Sequence, residues 1–488
     1  MTTSVSSGEA SIAKVEVSRR VAVAAPGTVY RIRHSVASRF LYLFICVAIC
    51  VSALAYGTVH YWALALFNLG ALAVLILWVV DSWQLRLFRV SKNLLQIPLL
   101  AMIALGVFQL FSLRPADSNS GLNLTPVRTL SLDPQSTRFV LAQVGALLVY
   151  FAATLVFTDT PRRLRLIVRT IIVFGFLLAM LGLTQSFTSP TKIYWVRELG
   201  QSTAFGPFIN RHHFAGYMEL TLALPLGLVF SGAIDKEKRF VYIFAMLLMG
   251  VALIMTGSRG GILSVIAEVI FVAAVTVRPR KHRHGHNRAQ HSSGAIAVRA
   301  ALALGLILTL FTGVVLLGGE SALTRVLGSV NTDDPTTGRA HFWSVTLDII
   351  KNDPVIGAGL GAFGVVYTKY DSRNGMFRLE QAHNDYLQVL ADGGLIGGAL
   401  ALFFVVLLFR MALPRCDSRD QFRRGVAIGA TAGCFAVLIH SFFDFTLHTT
   451  SNALLFLVLA ALATVDGRVE EVRRRHSRSH SRSQVAPL

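Results

Sequence analysis

The feature that most constrains this chain is a series of continuous apolar runs, each about 17 to 22 residues long. A transmembrane helix needs about 20 apolar residues to cross the hydrocarbon core of a bilayer. The runs are continuous rather than alternating, which favours helices over the strands of a barrel. The composition agrees, because 53% of the residues are hydrophobic and only 15% are charged. The sequence therefore predicts an all-α polytopic membrane protein.

We predict about twelve transmembrane helices and one large loop. Nine helices lie within residues 40–317 and three within residues 394–465, and the loop at 318–393 is expected to carry short amphipathic helices. The predicted spans are 40–57, 61–80, 94–113, 139–157, 166–186, 213–231, 240–256, 260–277, 300–317, 394–409, 425–440 and 452–465.

The basic residues predict the orientation of the chain in the membrane. The net charge is +20, and most of the 46 lysines and arginines fall in alternate segments. These segments include the N-terminal stretch 1–39, the loop after the eighth span and the tail 466–488. The positive-inside rule places both termini in the cytoplasm and the 318–393 loop in the periplasm. The charge thus indicates topology and attraction to anionic lipid rather than nucleic-acid binding.

The N-terminal stretch is long, polar and basic, so it is predicted to be a disordered cytoplasmic segment rather than a cleaved signal peptide. None of the four cysteines falls in a predicted outer loop, so no disulfide framework is expected.

Two short helices are predicted in the large loop. The first follows a cap at Thr336 or Thr337 and ends at 352–354, the Asn-Asp-Pro stretch. In the second, His383 is expected to share a helical face with the apolar residues that follow it. A turn at 392–394, Asp-Gly-Gly, then leads into the tenth span.

Polar clusters converge on the predicted outer side. Each lies at the end of a span or in the large loop, which scattered polar loops would not produce. The five clusters are "FINRHHF" (208–214), "TGSRGG" (256–261), "TGR" (337–339), "QAHNDY" (381–386) and "HSFFDFTLH" (440–448).

Three arginines in these clusters predict an anion site. Ser258, Arg259 and Gly260 form a turn at the start of a span, where free backbone N–H groups attract a phosphate. Arg211 stands at the start of another span and Arg339 in the loop helix, and a guanidinium grips phosphate oxygens in two places. The alternative is that each arginine only extends to the membrane interface.

His383 is the predicted catalytic base, because a histidine titrates near neutral pH and can accept a proton from a hydroxyl. The alternative is a histidine that only shapes the loop. Asn384 or Asp385 is expected to orient it or to contact the acceptor. The full set of predicted acceptor or sugar contacts is Asn210, His213, Asn384, Asp385, Tyr386, His440 and Asp444.

Two further patterns in the sequence, a glycine run and a pair of acids inside spans, each have a functional and a structural interpretation. The glycine run 359–364, with Glu380 after it, matches a dinucleotide-binding motif, but no hydrophobic strand precedes it, so we interpret it as a turn. No metal-ligand spacing stands out, and no metal or cofactor is predicted. Glu219 and Glu268 lie inside spans without an obvious cationic partner, and they are the best support for a transporter.

The ordered motifs resemble one family. "FINRHHFAGYMEL", "MTGSRGG", "GRAHFW", "PVIGAGLGAF", "AHNDYLQVLADGGLIG" and "HSFFDFTLH" are similar to the hallmarks of the O-antigen ligase and polymerase superfamily of bacterial envelope biogenesis. Many relatives have Asn-Arg-Asn-His in the first motif, whereas His212 replaces the second asparagine here.

The resemblance implies a membrane glycosyltransferase-like fold in the bacterial inner membrane and a glycan donor carried on undecaprenyl diphosphate. It implies a metal-independent, inverting transfer at the periplasmic face to a saccharide or lipid A–core acceptor, in lipopolysaccharide or exopolysaccharide synthesis. Combined with the residue chemistry, it assigns Arg211, Arg259 and Arg339 to the diphosphate and His383 to the acceptor hydroxyl. Alternatives are a protein O-oligosaccharide ligase and a small-anion transporter for a bicarbonate-like ion.

Overall fold

A computed structural model describes residues 34–113, 129–198, 204–277, 339–372 and 379–465 of the chain. Within these ranges it contains thirteen α-helices and one short hairpin. The helices are α1 Val36–Leu54, α2 Tyr61–Leu85, α3 Gln96–Gln109, α4 Pro134–Phe157, α5 Pro161–Thr188, α6 Arg211–Ser231, α7 Lys236–Met255, α8 Arg259–Val277, α9 Arg339–Asn352, α10 Phe363–Tyr370, α11 Asp385–Ala412, α12 Gln421–His440 and α13 Thr450–Thr464. The hairpin pairs β1 Lys192–Ile193 with β2 Arg197–Glu198.

The polytopic membrane character is confirmed, since nine of the described helices are long and apolar enough to cross a bilayer. Two predicted spans, 94–113 and 452–465, correspond to shorter helices: α3 has 14 residues and α13 has 15. Every residue of α13 is buried, so this helix lies among other helices rather than against lipid. The predicted ninth span, 300–317, and the caps at Thr336 and Thr337 lie outside the described residues.

The exposed apolar side chains of α2 indicate that this helix lies at the lipid boundary. Large apolar side chains along it are exposed, among them Leu66, Leu69 and Ile76. Trp62 and Trp83 are exposed near its two ends, as is usual for the aromatic belts of membrane proteins.

The centre of the bundle is the crossing of α6 and α12, where glycines let the two backbones touch. A Cβ added at Gly227 would lie 2.3 Å from the backbone nitrogen of Gly429, and one added at Gly429 would lie 2.4 Å from the carbonyl oxygen of Ala223. Small residues at a crossing allow this close packing in membranes. The crossing brings the first turn of α6 and the last turn of α12 to the same end of the bundle, which we call the site end.

The described part of the large loop packs as a small unit. Within the described residues helix α9 spans Arg339–Asn352, and its end agrees with the predicted stop at 352–354. Its Val345 and Ile349 belong to the same buried cluster as Phe363 of α10. The glycine run is confirmed as a turn: Gly359 has a φ of 123°, and its N–H donates to the carbonyl of Asp392.

Helix α11 contains the predicted break before the tenth span, because Gly394 adopts φ 62° and ψ −161° inside it. The predicted helical position of His383 is wrong. Asn384 caps α11 by accepting hydrogen bonds from Tyr386 N and Leu387 N, so the helix begins after the histidine. His383 instead has a positive φ of 51°.

The opposite end of the bundle is held by a buried ionic cluster. Arg163 donates to Asp159 and to the hydroxyl of Ser38. Arg89 bridges the same Asp159 to Asp81 at 3.1 and 2.7 Å. These contacts tie α1, α2 and α5 together at the ends opposite the site.

Candidate active site

Asp444, in the loop between α12 and α13, is the centre of the polar residues at the site end. Its side chain is only 1% exposed, and its Oδ1 accepts from His383 Nδ1 at 3.2 Å and from the N–H of Phe445 at 2.9 Å. Burial by itself would raise the pKa of Asp444. The hydrogen bond from His383 and the neighbouring His212 and His213 outweigh burial and hold the pKa well below its usual range. Asp444 is therefore a carboxylate at neutral pH.

His383 is held on three sides. Its Nδ1 meets Asp444, its ring stacks on Phe342 at 6.1 Å, and it makes an edge contact with Phe445 at 4.8 Å. A positive φ is uncommon for a residue with a side chain and occurs most where surrounding structure enforces it. With Nδ1 donating to the carboxylate, the neutral ring presents Nε2 as its basic atom.

Arg339 joins this pair from the start of α9. One guanidinium nitrogen donates to the carbonyl of Phe443, and the other lies 3.8 Å from Asp444 Oδ2. The Arg339 side chain is 22% exposed, so part of the guanidinium remains accessible. Three segments far apart in sequence thus meet at one carboxylate.

A second set of contacts runs from inside the bundle to the same place. Glu219 of α6 lies 3.2 Å from His440 Nδ1, and both side chains are fully buried. His440 Nε2 lies 3.4 Å from the hydroxyl of Ser258, and that hydroxyl lies 2.9 Å from Nδ1 of His212. Glu219 therefore has a histidine partner, His440, that the sequence did not predict.

Asp385 joins the start of α11 to the loop after α12. Its carboxylate accepts from Ser441 Oγ at 2.7 Å, from the N–H of Leu447 at 3.3 Å and from His448 Nδ1 at 2.6 Å. Burial would lower the pKa of His448, but the hydrogen bond and charge of Asp385, with Asp392 nearby, raise it. The hydrogen-bonded carboxylate beside His383 is that of Asp444, not that of Asp385.

The remaining predicted acceptor contacts mostly hold the site together. Asn210 caps α6 by accepting from His212 N. Asn384 Nδ2 donates to the carbonyl of Phe442, and Tyr386 donates to that of Leu438. His213 is buried, with its ring 4.7 Å from the ring of Phe445.

Two arginines of the predicted anion site stand at the starts of helices that meet at the site end. Arg211 begins α6 and Arg259 begins α8, and their sequence neighbours His212 and Ser258 are in direct contact. The Arg259 side chain is exposed and that of Arg211 is half-buried. Gly260 must be small, because a Cβ there would lie 2.6 Å from the His440 ring.

Phe342, Phe445 and Glu219 belong to the site although they were not predicted for it. The two phenylalanines lie beside motif residues, which is the only signal that could have found them. Glu219 and His440 are 221 residues apart, and nothing local pairs them. No group of three or more histidines, cysteines or acids suited to a metal occurs within the ranges that the structure describes.

The fold and the site define a polytopic α-helical membrane protein with a histidine–carboxylate–arginine cluster at one end of its bundle. Residues 244–402 match the family described as O-antigen ligase. The matched range includes Ser258, Arg259, Arg339 and His383. No curated protein matches the chain.

Proposed function

We propose that this protein transfers a glycan from undecaprenyl diphosphate to a saccharide acceptor at the periplasmic face of the inner membrane. The transfer belongs to lipopolysaccharide or exopolysaccharide synthesis, inverts the anomeric centre and uses no metal. The observation that carries the proposal is the contact of His383 Nδ1 with the buried carboxylate of Asp444, which leaves Nε2 available to an acceptor hydroxyl.

The step proceeds as a single displacement. His383 Nε2 takes the proton of the acceptor hydroxyl, and the acceptor oxygen attacks the anomeric carbon from the face opposite the diphosphate. The bond from that carbon to the diphosphate oxygen breaks, and undecaprenyl diphosphate leaves with the electron pair. Asp444 stabilises the imidazolium that forms, as a buried carboxylate does for a general-base histidine.

The arginines act on the leaving group. Negative charge grows on the diphosphate as the bond breaks, so guanidinium groups placed beforehand stabilise the transition state more than the ground state. Arg211 and Arg259 flank the contact between His212 and Ser258, and Arg339 lies beside Asp444. All three are therefore placed at the site end.

The positive-inside distribution supports the orientation that the function needs. Both termini are cytoplasmic in this proposal, and the site end faces the periplasm. The chain divides into a cytoplasmic segment 1–39, spans within 40–317, a periplasmic loop 318–393 that covers the acceptor, spans within 394–465 and a basic tail 466–488.

The experiment replaces His383 with alanine and measures glycan transfer and donor binding by the purified protein. Transfer should fall by at least about a hundredfold while binding of undecaprenyl diphosphate stays near normal. His341→Ala is a matched control, because His341 also pairs with an aspartate, Asp371 at 2.8 Å. Full transfer by the His383 variant would remove it as the base.

A measurement in cells separates the possible acceptors. Without the protein, long glycan accumulating on the carrier indicates a ligase, whereas single repeat units indicate a polymerase. Loss of glycan from proteins, with the envelope polysaccharide unchanged, indicates a protein acceptor. No change in any glycan would contradict glycosyl transfer.

A further inference from the structure

The chain of contacts from Glu219 to His212 has no role in the displacement described above. It begins at a fully buried carboxyl, passes through the ring of His440 and the hydroxyl of Ser258, and ends at His212, whose side chain is 23% exposed. Burying such groups inside a membrane bundle is costly, so they are usually functional.

Charge balance determines where the hydrogen atoms lie in the buried pair. A net charge on Glu219 and His440, both 0% exposed, carries a large desolvation penalty. Two neutral arrangements give the pair its strongest hydrogen bond: a carboxylate with an imidazolium, or a carboxylic acid that donates to Nδ1 of a neutral imidazole. A third, in which the acid accepts from Nδ1–H and donates to a hydroxyl instead, is disfavoured because an imidazole nitrogen is the stronger acceptor. In both favoured arrangements Nε2 of His440 carries a hydrogen. His440 Nε2 therefore donates to Ser258 Oγ.

These contacts determine the acceptor to which the Ser258 hydroxyl donates its hydrogen. Its oxygen accepts from His440 Nε2 and from the N–H of Gly261 at 3.2 Å. Its only hydrogen must go to Nδ1 of His212 at 2.9 Å. An imidazole that accepts at Nδ1 carries its own hydrogen on Nε2 when neutral. Among the described residues, no side chain is hydrogen-bonded to that Nε2, which leaves it available to a ligand.

We propose that Glu219, His440 and Ser258 are positioning residues that hold His212 as a hydrogen-bond donor at Nε2, and that this N–H binds a phosphate oxygen of the lipid diphosphate. The proposal rests on the proposed function and names the group that His212 recognises. A donor suits a phosphate, whereas a base would suit a hydroxyl. Asp444 Oδ2, 3.8 Å from His212 Nδ1, is too distant to impose the other tautomer.

The first test measures binding of undecaprenyl diphosphate to the purified full chain. His212→Asn keeps an N–H donor, so it should bind within a fewfold of wild type. His212→Leu loses the donor and should bind roughly tenfold to a hundredfold more weakly, as expected for a hydrogen bond to a charged group. Equal affinity of the leucine variant would overturn the proposal.

The second test addresses the positioning residues. Ser258→Thr keeps the hydroxyl and should retain affinity, whereas Ser258→Ala should raise the KM for donor with a smaller change in kcat.

Glu219 is tested in the same way. Glu219→Gln can donate to His440 Nδ1 and leave the hydrogen on Nε2, so a near-normal donor KM is expected. Glu219→Met cannot do so, and its KM should rise. A methionine variant with the donor KM of wild type would overturn the role of Glu219 as a positioning residue.

The control is Glu268→Gln in α8. Glu268 is also fully buried, and neither of its carboxyl oxygens has a hydrogen-bond partner among the described residues. This variant should leave the donor KM unchanged; a rise equal to that of Glu219→Met would mean that any buried acid in the bundle matters, against the proposal.

Phosphatidylglycerol in mixed micelles distinguishes the two possible phosphate sources. Loss of binding to undecaprenyl diphosphate alone in His212→Leu supports the proposal, whereas equal loss for both lipids would overturn diphosphate recognition. If His212→Leu has no effect while His383→Ala abolishes transfer, only this inference fails. If His383→Ala also has no effect, the proposed function fails.

Discussion

The Nδ1 atom of His383 lies 3.2 Å from Oδ1 of Asp444, across a sequence separation of 61 residues. This contact fixes which ring nitrogen of His383 faces a substrate. Asp444→Asn should impair the base, because an amide can donate to Nδ1 of His383 and so place the ring hydrogen on Nε2, which then cannot accept a proton. Turnover should fall by roughly a hundredfold or more with little change in the donor KM. The measurement is steady-state transfer, with Asp371→Asn as the control. An asparagine variant with normal turnover would contradict the role of Asp444.

Arg259 should bind the donor through its forked guanidinium. Arg259→Lys keeps the charge but loses two-point contact, so the donor KM should rise by about tenfold. Arg197→Lys is the matched control, since Arg197 is also exposed and lies in the hairpin, where it contacts His60. Equal effects of the two substitutions would indicate a general loss rather than a specific contact.

Gly429 should tolerate no side chain at the α6–α12 crossing. A Cβ there meets the backbone oxygen of Ala223 at 2.4 Å, and backbone cannot move aside as a side chain can. Gly429→Ala should lower the melting temperature and the yield of folded protein in detergent. Gly145→Ala, in the middle of α4, meets nothing within 4 Å and should be neutral or stabilising by about 0.5–1 kcal/mol. An unchanged melting temperature for Gly429→Ala would show that the helices are not in such close contact.

His448 should make stability depend on pH. Asp385 raises its pKa in the folded protein, so the stabilisation is fully present below the unfolded value of about 6.5 and is lost as the pH rises through the folded value. The melting temperature of wild type should therefore exceed that of His448→Asn most at about pH 5–6, and the difference should shrink at alkaline pH. A difference that grows with pH would contradict this sign.

Arg163 should be essential to the end of the bundle opposite the site. It donates to Asp159 and Ser38 while almost fully buried, and removing one partner of a buried pair costs on the order of 3–5 kcal/mol. Arg163→Ala should unfold at much lower temperature, whereas the exposed neighbour Arg162→Ala should behave as wild type. Loss of transfer with unchanged stability in Arg163→Ala would indicate a role other than the structural one.

Much of the site was predictable because its parts are local signals. Ser258 and Arg259 lie in a short turn that is recognisable from its glycines, and α9 ends at Asn352, where the Asn-Asp-Pro stretch predicted its end. The position of His383 was not predictable in detail. Periodicity placed it on a helix, but the capping side chain of Asn384 starts the helix two residues later.

By itself the sequence determined the membrane class, the C-terminal ends of most helices and the residue types that gather at one end of the bundle. These properties depend on stretches of a few to about 20 residues, within which hydrophobicity and capping act directly. Only the tertiary structure decided which acid pairs with which histidine: Asp444 pairs with His383, Asp385 with His448 and Glu219 with His440. Each pairing depends on how the helices cross and on which loops meet, and these are contacts between distant parts of the chain. The crossing of α6 and α12 at their glycines, for example, brings together Glu219 and His440, which are more than 200 residues apart.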